Sequence, residues 1–406
     1  MPFSKILNWW TSTSLVLRIF IGLVVGAVMG LALPSWHVVG MLGQLFVGAL
    51  KAIAPLLVFV LVMASVAQAG KGLGSRFRVV IAEYLASTFI AAMVAVTASF
   101  LFPVTLSLVD ATDAAPTLSL ADVFQHLIAS LVANPVRALA DANYIGILFW
   151  AIVMGLALKV VNHRPTIDVV NSVSQMITLV VKWIIQMAPF GIMGLVFAAV
   201  SESGLEIFTT YGQLLALLVG SMLVCTLVFN PLISFSLLHR NPYPLLFTCL
   251  RSSGLSAFFT RSSAANIPIN MALCQRLGLD KQFYSVSIPL GATINMNGAA
   301  VTISVMSLAV AHTLGIEVTV PSALVLCAVS TLGACGSSGV AGGSLLLIPM
   351  ACSFFGIPVD MAMQAVGVGF IIGVVQDSVE TALNSSADVF FTATADYHER
   401  RITAKN

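Results

Sequence analysis

Residues 376–388 read QDSVETALNSSAD and follow directly on VGVGFIIGVV at 366–375, a run without a single charge. Counted from Asp377, the residues Glu380, Thr381, Asn384 and Asp388 fall at +3, +4, +7 and +11. At about 100° per residue of helix, all five lie within an arc of about 100°. They form one polar stripe on a helix that otherwise reads as membrane-crossing. An ionisable side chain at mid-bilayer costs about 2.5–3.5 kcal/mol on insertion scales, so three carboxylates are expected to look into a protein interior or a watery cavity. The uncharged run before the stripe argues against an amphipathic helix of a soluble core or a membrane surface.

Composition sets the frame around that helix. Of 406 residues, 59% are hydrophobic and 8% charged, against about 25% charged in soluble domains. Repeated apolar runs of about 18 residues or more point to an all-α polytopic membrane protein, and no alternating strands of the barrel kind are visible. The net charge of +2 and the absence of a basic cluster or aromatic platform give no sign of nucleic-acid binding. The six cysteines (225, 249, 274, 327, 335 and 352) are scattered without a CxxC spacing and read as free thiols, not disulfides or zinc ligands. The start, MPFSKILNWWTSTS, lacks a small-residue cleavage site and reads as leading into an uncleaved first helix.

Eight spans are expected, at about 15–33, 41–68, 78–105, 143–161, 168–200, 209–236, 282–312 and 359–392. Two further apolar stretches, 243–272 and 321–355, are each interrupted by small polar residues. Lys and Arg fall in alternate connections, from Lys5 through Lys71, Arg76, Arg78, Lys159, Arg164, Arg240, Arg276 and Lys281 to Arg400, Arg401 and Lys405. These connections, with both termini, are therefore expected to be cytoplasmic. The parity holds only if each interrupted stretch enters and leaves on one face, the first from the cytoplasm and the second from outside. Such an opposed pair of re-entrant hairpins is the pattern of inverted repeats around a midplane site. The outer segment 106–142 has periodicity enough for one or two extra helices.

Three motifs carry the chemistry. In TRSSAANIP (260–268), Pro268 and the serines suit a tight turn whose backbone groups are left for a ligand. Arg261, if buried there, needs an anion, and Asp377 and Glu380 are both on offer; a surface loop with Arg261 snorkelling is the blander reading. STLGACGSSGVAGGS (330–344) has glycines enough for a mobile lid, or for close helix packing. GATINMNGAA (291–300) puts Asn295, Asn297 and two glycines in the middle of an apolar span. If the helix unwinds there, carbonyls of Gly291, Thr293 and Asn295, with the Asp388 carboxylate, suit a hard monovalent cation; a polar network between helices is the alternative.

These segments, TRSSAANIP, PLGATINMNGA, the glycine-rich tip and DSVETALNSSAD, resemble in order and spacing those of the dicarboxylate/amino acid:cation symporter family, the glutamate transporter fold. The resemblance covers nearly the whole chain. It implies eight transmembrane helices and two opposed re-entrant hairpins, a homotrimer in the bacterial inner membrane in contact with lipid, and an elevator-type movement. The scaffold would comprise about 10–70 and 106–205, and the transport part about 76–105 and 206–395, within a single domain of 1–406. It further implies no enzyme activity and no cofactor, with Na+ as coupling ion. By motif position, Asp377 would hold a substrate amino group and Asn384 its α-carboxylate, helped by Thr381, by Arg261, Ser262 and Ser263 at the first tip, and by Gly339 and Val340 at the second. Gly291, Asn295, Asn384 and Asp388 would form one sodium site. Thr293, Met296, Ala334, Cys335 and Ser337 would form another. Tyr84, Ser87 and Thr88 match positions that contribute to a further sodium site in relatives.

Two departures bear on the substrate. Acidic amino acid carriers of the family have NMDGT where this chain has NMNGA at 295–299, and an arginine where it has Glu380. With Glu380 there, a second substrate carboxylate would face a like charge. The pattern is similar to that of the sodium-coupled serine/threonine branch, which implies import of small neutral hydroxy amino acids (L-serine, L-threonine), Glu380 pairing with Arg261 and bonding a hydroxyl. Asn297 in place of the aspartate removes a cation-binding carboxylate and implies fewer coupled ions. The rival within transporters is a sodium- or proton-coupled carrier of acidic amino acids or C4-dicarboxylates. An intramembrane serine protease at GSSG (336–339) would need a histidine base at that depth, whereas every histidine reads as a loop or helix-end residue. Two lid-like hairpins favour alternating access over a passive channel.

Overall fold

The computed structural model describes residues 13–68, 75–108, 132–337 and 342–403. Among them there is no strand. The helices are α1 (Leu15–Ala32), α2 (Val38–Gln68), α3 (Ser75–Leu101), the short α4 (Pro135–Ala140), α5 (Tyr144–Val161), α6 (Arg164–Gln186), α7 (Ala188–Ser203), α8 (Ile207–Val224), α9 (Asn230–Leu238), α10 (Tyr243–Cys249), α11 (Leu255–Thr260), α12 (Ser263–Arg276), α13 (Lys281–Ile294), α14 (Asn297–Thr313), α15 (Val320–Ala334), α16 (Ile348–Phe354) and α17 (Val359–Thr403). Single π turns, Cys225–Phe229 and Leu250–Gly254, carry α8 into α9 and α10 into α11. Starts are set by side-chain caps: the Ser14 hydroxyl accepts from Leu17 N, Asp280 from Gln282 N and Thr319 from Ser322 N.

Seven helical stretches among the described residues are long and apolar enough to cross a membrane, and this is a multi-pass membrane protein. The expected first span falls outside that set, as a shorter apolar helix at Leu17–Ala32. The expected single span 168–200 is two helices, because α6 ends at Gln186 and Pro189 opens α7; a proline lacks the N–H that would carry the first helix through. The last helix runs eleven residues past its expected end at 392, to Thr403. Of the extra helices expected in 106–142, α4 is present, and 109–131 lies outside the described residues.

The helices pack as two groups. In one, α1 lies along α7, and α2 packs against α5, α6 and α7. Contact between α1 and α7 is close because Gly22, Gly26 and Gly30 share a face. A Cβ at Gly22 would come 2.1 Å from Pro189 O, and one at Gly26 2.3 Å from Met193 O, so only glycine admits this approach. In the other group, α3 packs on α8, α14, α15 and α17, and α17 runs through the centre, touched by every helix from α8 to α14 and by α16. The groups meet mainly at the first half of α17 and the segment before it, where Phe370 packs edge-on against Phe46 at 5.1 Å and Asp360 pairs with Lys51.

Candidate substrate and cation site

The buried length of α17 carries the stripe. Asp377, Glu380, Thr381, Asn384 and Asp388 are all at most 6% exposed, so burial in protein, not lipid, surrounds the three carboxylates. An apolar cavity of about 1060 Å³ between α3 and α8 is lined by none of them.

One wall is a helical hairpin. Helix α11 ends at Thr260, Arg261 takes a left-handed conformation (φ 51°), and Ser262 caps α12 by accepting from Ala265 N. The turn is thus two residues at Arg261–Ser262, and Pro268, expected in the turn, sits inside α12. The left-handed turn brings the Arg261 guanidinium onto α17. Its Nε donates to Asp377 Oδ2 at 2.7 Å, and a terminal nitrogen reaches Gly373 O at 3.3 Å. The pairing of Arg261 with Glu380 is therefore not formed: Asp377, one helical turn earlier, is the partner. Two residues of TRSSAANIP and its continuation, without an assigned role in the sequence, fasten the hairpin. Asn266 Nδ2 and Asn270 Nδ2 both donate to Ser385 Oγ, at 2.8 and 3.0 Å.

The turns leading into α16 form a second wall, packed on α17. Gly342 has φ +72°, and a Cβ there would meet the Phe370 ring at 2.8 Å; its N–H donates to Asp377 Oδ1 at 3.2 Å. Ser344 Oγ donates to Glu380 Oε2 at 2.9 Å. The expected contacts Gly339 and Val340 lie outside the described residues. Asp377 thus receives a cation and a backbone N–H. Glu380 Oε2 instead receives, among the described residues, neutral donors only: Ser344, Thr302 Oγ1 at 2.7 Å and Gln376 Nε2 at 2.6 Å. Sequence reasoning missed Thr302 and Gln376, though a hydroxyl one turn past NMNGA and an amide beside Asp377 were visible.

The break between α13 and α14 supplies the rest. Asn295 (φ −93°, ψ 75°) and Met296 (φ −119°, ψ 51°) leave the helix, so the last carbonyls of α13 lose their helical donors. Asn295 Nδ2 donates to Asp388 Oδ1 at 2.8 Å, and Gly298 N donates to Asn384 Oδ1 at 2.8 Å. Asn384 Nδ2 points at Met296 Sδ at 3.5 Å. Asp388 Oδ2, Asn295 Oδ1 and Asn297 Oδ1 are buried with no hydrogen-bond partner. The oxygens of Asp388 and Asn295, held together by that hydrogen bond and unpartnered among the described residues, fit a hard monovalent cation. Gly291 is required beside them, since a Cβ would lie 2.7 Å from Asp388 Oδ1 and 2.9 Å from Tyr84 Oη.

The other residues expected to hold a cation are close by. Cys335 Sγ lies 3.6 Å from Ile294 O, next in sequence to Thr293, whose Oγ1 itself donates to Leu290 O. The region of Tyr84, Ser87 and Thr88 is a neutral network. Asn297 Nδ2 donates to Ser87 Oγ, Ser87 Oγ to Asn230 Oδ1, and Tyr84 Oη to Ser287 O and Asp388 O. Glu83, on the same helix, is 3% exposed, and neither carboxylate oxygen has a hydrogen-bond partner.

The site is thus a buried stripe of charge on α17 of a multi-pass membrane protein, flanked by the Arg261 turn, the segment at Gly342–Ser344 and the break between α13 and α14. The sequence profile of the sodium:dicarboxylate symporter family matches residues 15–397. A serine/threonine transporter of Bifidobacterium adolescentis is 58% identical over 391 residues, covering 96% of this chain and 91% of that protein. Serine/threonine transporters of Streptococcus agalactiae and Streptococcus thermophilus are 54% and 52% identical, each over 97% of this chain and 98% of the relative. The chain belongs to the sodium:dicarboxylate symporter family.

Proposed function

We propose that this protein is a sodium-coupled symporter that imports L-serine and L-threonine across the bacterial inner membrane. The observation that carries the substrate class is Glu380: where an acidic substrate needs a cation, this site has a carboxylate satisfied by Thr302, Ser344 and Gln376. A second substrate carboxylate there would meet like charge, at a cost of several kcal/mol in a confined site. A hydroxyl meets an acceptor. Glu380 Oε1 accepts no hydrogen bond among the described residues, and it is the atom the serine or threonine hydroxyl donates to.

The α-ammonium goes to Asp377, displacing Arg261, and the α-carboxylate to Asn384 with the backbone at Ser262 and Ser263. Arg261, released, stays beside the carboxylate as its counter-charge. Sodium, the co-substrate, is held by Asp388, Asn384, Asn295 and Gly291, and a second sodium by Thr293 and Met296 with carbonyls of Ala334, Cys335 and Ser337. The segment carrying Gly342 and Ser344 acts as the lid, since its bonds to Asp377 and Glu380 tie its closure to the occupied stripe. Eight spans with both hairpins re-entrant, cytoplasmic termini and a homotrimer complete the reading. The group of α1, α2, α5, α6 and α7 is its scaffold, and the group around α17 is the part that moves as an elevator. Labelled serine uptake into proteoliposomes tests it. Uptake is expected to require an inward sodium gradient and to yield to excess threonine but not aspartate; strong competition by aspartate, or indifference to sodium, refutes it.

A further inference from the structure

Gln376 and Thr302 are placed as no substrate contact is. Both are fully buried, 0% exposed, and both donate to the same oxygen, Glu380 Oε2, at 2.6 and 2.7 Å. Gln376 Nε2 also donates to Thr302 Oγ1 at 2.7 Å, so the two form one unit across α17 and α14. The orientation of the amide has a cost: Gln376 Oε1 is buried with no hydrogen-bond partner among the described residues. Turning the amide over would satisfy nothing, because it would press an oxygen lone pair against the carboxylate. The carboxylate therefore dictates the arrangement. Gly298 seals the other side, where a Cβ would fall 2.9 Å from Glu380 Cγ.

Resting on the symporter reading, we propose that Gln376 and Thr302 are specificity-positioning residues: by holding Oε2 they fix Glu380 so that Oε1 faces the substrate as a hydrogen-bond acceptor, which selects a side-chain hydroxyl over a methyl group. Charge-assisted hydrogen bonds of this kind are strong and directional. A carboxylate pinned at one oxygen loses rotamer freedom before substrate arrives, which is how a pre-organised site discriminates. Neither residue touches the substrate in this arrangement. Their effect is carried through Glu380 alone.

The test measures the ratio of apparent affinities for serine and alanine, by competition in sodium-driven uptake, for the unmodified protein and for Thr302→Val, Thr302→Ser and Gln376→Leu. Valine keeps the shape of threonine and drops the hydroxyl; serine keeps the hydroxyl and drops the methyl. Thr302→Val and Gln376→Leu are expected to lower the serine-over-alanine ratio about tenfold, the loss of roughly one hydrogen bond to a charged group, with maximal rate little changed. Thr302→Ser is expected to keep the ratio. A ratio unchanged in both Thr302→Val and Gln376→Leu, or lowered in Thr302→Ser and kept in Thr302→Val, overturns the positioning role. Should Thr302→Val fail to fold, Gln376→Leu carries the same test through a different donor. Failure of both to fold beside an intact Thr302→Ser assigns the pair a structural role and refutes the proposal. Absence of sodium-driven serine uptake by the unmodified protein defeats the symporter reading itself, a result distinct from any of these.

Discussion

The two ends of the stripe on α17 are built on opposite principles. At Asp377 both carboxylate oxygens are answered, by Arg261 and the Gly342 N–H, and at Glu380 three neutral donors hold Oε2 and leave Oε1 as an acceptor. About 16 Å along the helix axis from Asp377, Asp388 has one oxygen bonded to Asn295 and the other without a partner among the described residues, as is the Oδ1 of Asn295 itself. On the proposed reading, a ligand arriving at the first end must compete with Arg261 and the Gly342 N–H for Asp377, while its hydroxyl meets the open Glu380 Oε1. On the proposed reading, a cation arriving at the second end displaces no ion pair and meets the unpartnered oxygens of Asp388 and Asn295. In the proposed symporter the first end thereby selects, and the second attracts.

The sharpest way to break that contrast is to remove the charge at the attracting end. Asp388→Asn is expected to abolish sodium-stimulated uptake, lowering sodium affinity about a hundredfold or more, since losing one partner of a buried charged pair costs about 2–5 kcal/mol; uptake against sodium concentration checks it. At the selecting end, Asp377→Asn strands Arg261 and removes the ammonium acceptor. It is expected to weaken serine binding by a similar factor, measured as the apparent affinity for serine at saturating sodium. Gly291→Ala tests how tightly the cation end is drawn. Its Cβ would sit 2.7 Å from Asp388 Oδ1, and a fall in sodium affinity of about tenfold is expected from the forced shift of one ligand, with the serine-over-alanine preference intact. The smallest effect concerns the frame. Asp280 caps α13 through Gln282 N at 2.9 Å and pairs with Arg76. The cap hydrogen bond foremost, then Arg76, holds its carboxyl below the usual range. Its contribution is therefore present above the ordinary carboxylate range and lost as pH falls through it, and Asp280→Ala is expected to cost about 1 kcal/mol at neutral pH, read by thermal unfolding at pH 7.

Much of this was legible in the sequence, for a physical reason. Helical periodicity alone aligns Asp377, Glu380, Asn384 and Asp388, and two asparagines with glycines in an apolar span mark the break now seen at Asn295–Met296. Partner choice was not legible. Asp377 and Glu380 lie one turn apart on one face, and spacing cannot say which of them Arg261 reaches; the left-handed turn at Arg261 decides it. Nor could Thr302 and Ser344 be assigned to Glu380, since they come from separate elements whose approach only the packed fold sets. Proline was ambiguous in the same way. Pro55, Pro268 and Pro289 all sit inside helices, whereas Pro189 begins one.

The most direct test of the contrast is sodium binding to the purified protein without any amino acid, followed by calorimetry for the unmodified chain, Asp388→Asn and Asp377→Asn, with serine then added at saturating sodium. Sodium binding lost in Asp388→Asn but kept in Asp377→Asn, with serine binding lost in Asp377→Asn, is the predicted outcome. Sodium binding that survives Asp388→Asn, or that vanishes with Asp377→Asn alone, would contradict the division of labour along α17.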